Sequence, residues 1–375
     1  TSANLGTVQA ALATPVDAIQ LNTLAGVQSV VNNAIYATGA IQEAAENNTA
    51  TPTTPSVAQY LAAGVIGVDA NNLAAINDAL NDPDVTGAQA DTTAKVQAIV
   101  DGFNAILANA DGTANNASNP TLANYAAIGV NGVDSAVKVS LLGDVIDTLA
   151  PGSVSQVAQV QTLADAVLAV MTAAATGVTS ALSKAQLEAL GITGVTDDNL
   201  SAVLAAIAAS SDDGTAVDTL GELQSVITAA VSAQASAIQK IAAYAETGTT
   251  APTHSDYAAA GVAGVTPSNL SAINDAINNQ KGPDATLGNA NDKEAADTTA
   301  KVQAIVNAYN TILGEANDST SAAGDTTPDA TPTADSTAAN YAAIGANIGA
   351  AATDAEKLNL LNDIIGGLQT TDVDS

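Results

Sequence analysis

The stretch Tyr60-Leu-Ala-Ala-Gly-Val-Ile-Gly-Val-Asp-Ala-Asn-Asn-Leu-Ala-Ala-Ile-Asn-Asp-Ala79 decides the fold, because it occurs twice. It returns 197 residues later as Tyr257-Ala-Ala-Ala-Gly-Val-Ala-Gly-Val-Thr-Pro-Ser-Asn-Leu-Ser-Ala-Ile-Asn-Asp-Ala276. Self-similarity over such a span is the mark of a repeat architecture. Downstream, Ala90 to Val100 returns as Ala296 to Val306, with nine residues added between the two matches. A second kind of unit follows each of these: Asn124-Tyr-Ala-Ala-Ile-Gly129 and Leu141-Leu-Gly-Asp-Val-Ile146 reappear as Asn340 to Gly345 and Leu360-Leu-Asn-Asp-Ile-Ile365. A third kind begins at Leu187-Glu-Ala-Leu-Gly-Ile-Thr-Gly-Val195, and its second half is echoed near the N-terminus, where Leu24-Ala-Gly-Val-Gln-Ser-Val30 matches Leu220-Gly-Glu-Leu-Gln-Ser-Val226.

Calling the three kinds A, B and C, the 375 residues divide into a partial C unit at 1–48, A at 54–110, B at 120–176, C at 178–247, A at 254–316 and a partial B unit at 334–375. Within the first A unit the spacing predicts three helices. Ser56 to Ala63 forms a short one stopped by Gly64. Asp69 caps a second with apolar positions Leu73, Ile76 and Leu80, broken at Asn81-Asp-Pro-Asp84. Asp91 caps a third, on which Val96, Ile99, Val100, Phe103, Ile106 and Leu107 fall at three- and four-residue spacing along one face. The copy keeps that stripe as Val302, Ile305, Val306, Tyr309, Ile312 and Leu313. Ser183 with Gln186, Thr219 with Glu222 and Thr353 with Glu356 read as capping boxes. No alternating strand pattern is present, so the expected class is all-α, as tandem small three-helix bundles. The segments Thr49 to Pro55, Gly112 to Pro120, Gly248 to Thr253 and Asp318 to Ser336, rich in Thr, Pro, Asn and Asp, read as linkers. From Met171 to Leu182 there is hardly any linker, which predicts rigid coupling of B to C.

Composition excludes several chemistries. Asp plus Glu number 38 against eight basic residues, all lysine, giving a formal charge of −30. Such a surface repels nucleic acid and anionic lipid, which need Lys and Arg to neutralise phosphate. Cysteine, arginine and tryptophan are absent and His254 is the one histidine, so no disulfide, thiolate metal site, bidentate guanidinium clamp or histidine pair can be built. Apolar residues reach 47% but aromatics only 2%, which predicts thin cores of Ala, Val, Ile and Leu. No cofactor, no metal, no enzymatic reaction and no membrane span are expected, and the polar opening Thr1-Ser-Ala-Asn4 does not have the form of a signal peptide.

The pattern Tyr-x-x-x-Gly-Val-x-x-Val-x-x-x-Asn-Leu-x-x-Ile-Asn-x-Ala, followed by Thr-x-x-x-Val-Gln-Ala-Ile, resembles the GA-like modules of large bacterial surface adhesins. Those are similar in turn to the three-helix albumin-binding module of streptococcal surface proteins. The likeness covers residues 56 to 110 and 254 to 316 best. It implies a long, secreted, multi-module protein used in adhesion or biofilm cohesion, at the cell surface or in the extracellular matrix. Albumin binding is not carried over: the second helices offer Ala74, Ala75, Asn77 and Asp78, or Ala272, Asn274 and Asp275, where that family uses aromatic and lysine residues, and albumin is itself acidic.

Among candidate sites, His254 reads as a solvated linker residue. Asp212-Asp213-Gly214, Asp82-Pro-Asp84 and Asp318 to Asp335 are acidic enough for Ca²⁺ but lack regular ligand spacing, so caps and loops are the better reading. Asn116-Ala-Ser118 is a glycosylation sequon. Tyr60, Tyr125, Tyr257 and Tyr341 are expected to anchor each first helix in the core with the hydroxyl at its edge. The two partial units leave the stripes Val27, Val30, Val31 and Leu358, Leu361, Ile364, Ile365 as candidate contacts between subunits. Two readings stay open: a window of a longer array, or head-to-tail self-association that generates a filament. The expected function is a structural stalk, spacer or filament segment, and the rival is a helical module that captures a host protein or glycan.

Overall fold

The computed structural model describes residues 5–13, 22–47, 54–114, 119–210, 214–280, 292–316, 335–368 and 372–373. Most of the Thr- and Pro-rich segments, the sequon Asn116 to Ser118, Asp212 with Asp213, and nearly all of Asp318 to Asp335 lie outside the described residues. Among the described residues the chain is all-α, with sixteen helices and no strand. In order they are α1 (Leu5–Ala13), α2 (Leu24–Glu46), α3 (Val57–Ala62), α4 (Leu73–Leu80), α5 (Thr93–Asn109), α6 (Leu122–Ala127), α7 (Ala136–Asp147) and α8 (Val157–Thr176). They continue as α9 (Lys184–Ala189), α10 (Leu200–Ala208), α11 (Leu220–Thr247), α12 (His254–Ala259), α13 (Leu270–Asn278), α14 (Thr299–Ala316), α15 (Ala338–Ala343) and α16 (Ala355–Gly366). Lengths cycle from short to long: 6, 8 and 17 residues in α3 to α5, and 6, 9 and 18 in α12 to α14.

Local chemistry explains the starts and stops. Ser56 and Gln59 form a reciprocal box at the head of α3, as do Thr121 with Asn124, Thr253 with Asp256 and Thr337 with Asn340 on the equivalent helices. Gly64 ends the first turn in the left-handed region at φ 76°, which a Cβ-bearing residue resists. Three expected caps move by a residue or more. Thr92, not Asp91, caps α5 by accepting from the Lys95 N–H, while Asp91 pairs with the Lys95 ammonium. Asp354, not Thr353, caps α16. Asp69 accepts from the Asn71 and Asn72 N–H groups in the turn ahead of α4 rather than from the helix itself. At α5 and α16 a neighbouring oxygen on a residue with the extended backbone of an N-cap is better placed, whereas Asn72 at the start of α4 lies in the α region and makes no side-chain cap. His254 is also corrected: it is the first residue of α12, exposed, and not part of a linker.

The chain falls into two compact units, Thr1–Thr193 with Ile207–Val226, and Gly194–Ala206 with Ile227–Ser375. In the first, α2 packs on α3, α5 on α6 and α8 on α9, so the third helix of one repeat lies against the first helix of the next. Gly102 marks one crossing: a Cβ there would come 2.7 Å from the Asn124 carbonyl oxygen of α6. In the second unit a single core joins Ile238, Ile241 and Tyr244 of α11 to Tyr257, Ile273, Val302 and Val306 of α12, α13 and α14. A smaller one joins Ile312 of α14 to Tyr341 and Ile365. Each repeat therefore borrows part of its core from its neighbour, which is how short, alanine-rich helices bury enough apolar surface. The linker reading is amended at its ends, since Pro55, Pro120, Pro252 and Ser336 are all buried. Helix α8 is long and apolar enough to cross a membrane by length and composition, but 61% of its most apolar window is buried inside the protein, as in a core helix.

Candidate functional site

What recurs at every repeat is a set of polar side chains that bind backbone. The expected position of the tyrosine hydroxyls is corrected first: they are enclosed, not at the edge. Tyr60 is fully buried and donates to Asn77 Oδ1 at 2.8 Å, and Asn77 Nδ2 donates to the Pro55 carbonyl at 3.0 Å. Tyr257, Asn274 and the Pro252 carbonyl repeat this at 2.8 and 3.0 Å, and Tyr341, Asn362 and the Ser336 carbonyl at 2.8 and 2.8 Å. The clip ties helix one, helix two and the incoming segment of a repeat together. Burial pushes the phenol pKa of Tyr60, Tyr125 and Tyr257 well above its ordinary value, and that of Tyr341 up to about 12, so all four stay protonated, and the hydroxyls of Tyr60, Tyr257 and Tyr341 donate.

A second clip is built from glutamine. Gln97 of α5 accepts from the Ile66 N–H at 2.9 Å and donates to the Ile66 carbonyl at 3.0 Å. Gln161 does the same to Asn131, Gln224 to Thr193 and Gln303 to Ala263. Sequence reasoning missed these residues. The signal was present in the recurring Val-Gln or Leu-Gln pair of each third helix, which periodicity treats as merely polar.

Repeats are also joined to one another. Asp78 on α4 accepts from the Val157 N–H, the first residue of α8 in the following repeat, at 2.7 Å. Asp144 on α7 accepts from the Leu220 N–H, the first residue of α11, at 3.1 Å. A carboxylate at a helix N-terminus satisfies an orphan donor and meets the positive end of the helix dipole. The C unit carries Ala205 at this position, and there Gln234 takes over, donating to the Asp198 carbonyl, the Ala260 carbonyl and Thr299 Oγ1 at 2.7, 3.3 and 2.8 Å. Lys240 of α11 pairs with Asp256 of α12. Burial raises the Asp256 pKa, but hydrogen bonds from Lys240 and Thr253 outweigh it and hold the carboxyl below its ordinary value.

The remaining candidates are absorbed into the same framework. Asp82 accepts from the Asp84 N–H, and Asp84 accepts from Asn131 Nδ2, so this acidic turn closes a loop. Burial and a hydrogen bond with Glu222 hold the Asp218 carboxyl above its ordinary value, and Glu222, which accepts from the Thr219 hydroxyl, lies below its own at the start of α11. Among the described residues no three His, Cys, Asp or Glu side chains are grouped to hold a metal. A groove of ≈ 530 Å³ is lined by Asp69, Asn72, Asp78, Asn104 and Gln156, whose amide groups already bind the chain itself: Asn72 and Asn104 both donate to the Gly67 carbonyl. Of the candidate inter-subunit residues, Val27, Val30 and Val31 are half-buried. Leu358 and Leu361 pack against the Ile312, Tyr341 and Ile365 cluster, so they and Ile365 face inward. Ile364 is 56% exposed, together with Leu360 at 60%, which the apolar stripe did not include. Comparison with family models, curated proteins and solved structures gives no match to this chain.

Proposed function

We propose that the chain is a structural repeat protein, a spacer or stalk segment whose task is to hold successive helical repeats in register. The observation that carries this reading is the direction of its polar chemistry. Asn, Gln and Asp side chains that could bind a ligand are spent on main-chain groups of the same or the next repeat, at Pro55, Ile66, Val157 and Leu220 among others. The setting we infer, a bacterial surface or extracellular matrix in adhesion or biofilm, rests on the resemblance of residues 56 to 110 and 254 to 316 to GA-like adhesin modules. The acid-rich composition suits a solvated spacer that neither nucleic acid nor anionic lipid attracts.

The rival reading, a module that captures a host protein or glycan, calls for an exposed apolar patch common to the A units. The first A unit exposes Leu61 and Ile66 at 50 and 60%, whereas the second has Ala258 and Ala263 there. That patch is not shared. The test is to immobilise the full chain and challenge it with serum and matrix extract, while pulling single molecules end to end. Reversible extension under load without saturable capture supports the spacer. Saturable capture of one protein or glycan replaces it with the binding module. Sedimentation of the same material over a concentration range tests the filament form of the proposal.

A further inference from the structure

The residue whose N–H and carbonyl are both held by a helix-three glutamine is Ile66, Asn131, Thr193 or Ala263. In each case a glycine in the left-handed region follows it, at φ 81, 80, 84 and 82°. The first B repeat alone of these four puts asparagine there, and Asn131-Gly132 is the one Asn-Gly pair in the sequence. That side chain has a structural role. Asn131 Nδ2 donates to Asp84 Oδ2 of the preceding A repeat at 2.7 Å and to the Gly129 carbonyl at 3.2 Å, which ties the two repeats together. Asn131 is open to water, and among the described residues nothing accepts from the Gly132 N–H.

We propose that Asn131-Gly132 is a site of spontaneous deamidation that cuts this tie between the first A and B repeats, with Gln161 setting its pace. The Gly132 nitrogen, after losing its proton to hydroxide, attacks Asn131 Cγ. A new N–Cγ bond closes a five-membered imide, and the Cγ–Nδ2 bond breaks to release ammonia. Water then opens the ring at one of its two carbonyls. Opening at Cγ breaks the new bond and leaves aspartate; opening at the main-chain carbonyl leaves isoaspartate, with the chain running through Cβ and Cγ. Asparagine is intrinsically labile, and glycine has no side chain to shield the attacking nitrogen. Either product replaces the Nδ2 donor with a carboxylate facing Asp84, in a turn where Asp82 already feels the charges of Asp84 and Asp78. The glutamine clip opposes the first step. For the nitrogen to reach Cγ, Asn131 must rotate about ψ and χ1, yet Gln161 holds its N–H at 2.8 Å and its carbonyl at 3.2 Å. Release of Gln161 therefore precedes attack. The inference needs only this junction, so it is independent of whether the chain serves as a spacer or captures a partner.

The full chain is aged in warm, mildly alkaline buffer beside a short synthetic peptide of residues 127–136, with circular dichroism confirming that every variant keeps its helix content. Tandem mass spectrometry of the fragment Val96–Lys138, released by cleavage after lysine, locates the conversion. Asn131 is expected to convert ahead of every other asparagine in that fragment, and more slowly than in the synthetic peptide. Gln161→Ala should raise the rate about fivefold, and Gln161→Glu, which keeps the acceptor but loses the donor, should raise it less. Gln97→Ala, which frees Ile66 in the neighbouring repeat, should leave it unchanged. Asn131→Thr, copying Thr193, should abolish it. In hydrogen exchange the Asp84 and Val85 amides, both bonded to Asp82, should speed about threefold in the aged chain and equally in Asn131→Asp. Asn131 left intact in the chain when the synthetic peptide is fully converted overturns the proposal. So does a rate that Gln161→Ala leaves unchanged or that Gln97→Ala raises as much, and so does conversion without faster exchange at Asp84 and Val85.

Discussion

The first A repeat and the first B repeat keep the same buried tyrosine but solve its hydrogen bonding differently. In the A repeat, helix two supplies Asn77, which satisfies Tyr60 and the incoming Pro55 carbonyl at once. In the B repeat the equivalent residue is Gly143, and a Cβ there would lie 2.4 Å from Asn119 Cγ. The carboxamide has moved: Asn119, on the incoming segment, fills the space that a helix-two asparagine would occupy. The exchange is incomplete, because the Tyr125 hydroxyl and Asn119 Oδ1 are both buried and unpaired. A buried donor and a buried acceptor left without partners cost stability, roughly 1–3 kcal/mol per group. A buried tyrosine can therefore serve as a volume anchor alone, and its polar clip is a separate layer that one repeat can carry poorly.

The largest effect that would sharpen this contrast is Asn77→Ala, which leaves a phenol and a carbonyl buried without partners. It should cost about 3 kcal/mol in urea unfolding of the full chain, against less than about 1 kcal/mol for Asn119→Ala, whose Oδ1 has nothing to lose. Equal costs would break the comparison. Next comes Gly102→Ala, expected to cost about 2 kcal/mol by overpacking against the Asn124 carbonyl. The reciprocal Ala308→Gly, at the equivalent position of α14, should cost under about 1 kcal/mol in helix propensity. Tyrosine-to-phenylalanine changes should then differ in sign: Tyr60→Phe destabilises by about 1 kcal/mol, whereas Tyr125→Phe is neutral or stabilising because it removes an orphan hydroxyl. Asp78→Ala should cost about 1 kcal/mol and speed hydrogen exchange at the Val157 amide while leaving Gln97-clipped Ile66 unchanged.

The smallest effect lies at the C to A junction. Because the folded Asp256 pKa is held below its ordinary value, its contribution is present above the unfolded carboxyl range and is lost as pH falls through the folded pKa. Lys240→Met should flatten that part of an acid titration of stability and cost less than about 1 kcal/mol at neutral pH, since the pair is partly exposed and screened.

The apolar stripe Val96, Ile99, Val100, Phe103, Ile106 and Leu107 was legible because a helix face needs only spacing; the first five are buried and Leu107 is half-buried. Helix starts were less so. Asp91 and Thr92 are both competent caps, and the choice depends on which residue takes the extended backbone. The junction chemistry was least legible. Asp78 looks like any exposed helix acid, and only a chain segment 79 residues away gives it a role. Likewise Leu358 and Leu361 read as a bare stripe until α14 and α15 supplied the surface they cover.

Repetition, helical class and the scarcity of chemistry-bearing side chains were set by the order of residues alone, since periodicity and composition are local properties that survive without knowledge of neighbours. Which asparagine meets which phenol, which carboxylate receives the next helix, and which apolar residues stay uncovered were decided by tertiary packing. Hydrogen bonds and burial are relations between distant segments, and their worth depends on the water that each contact excludes.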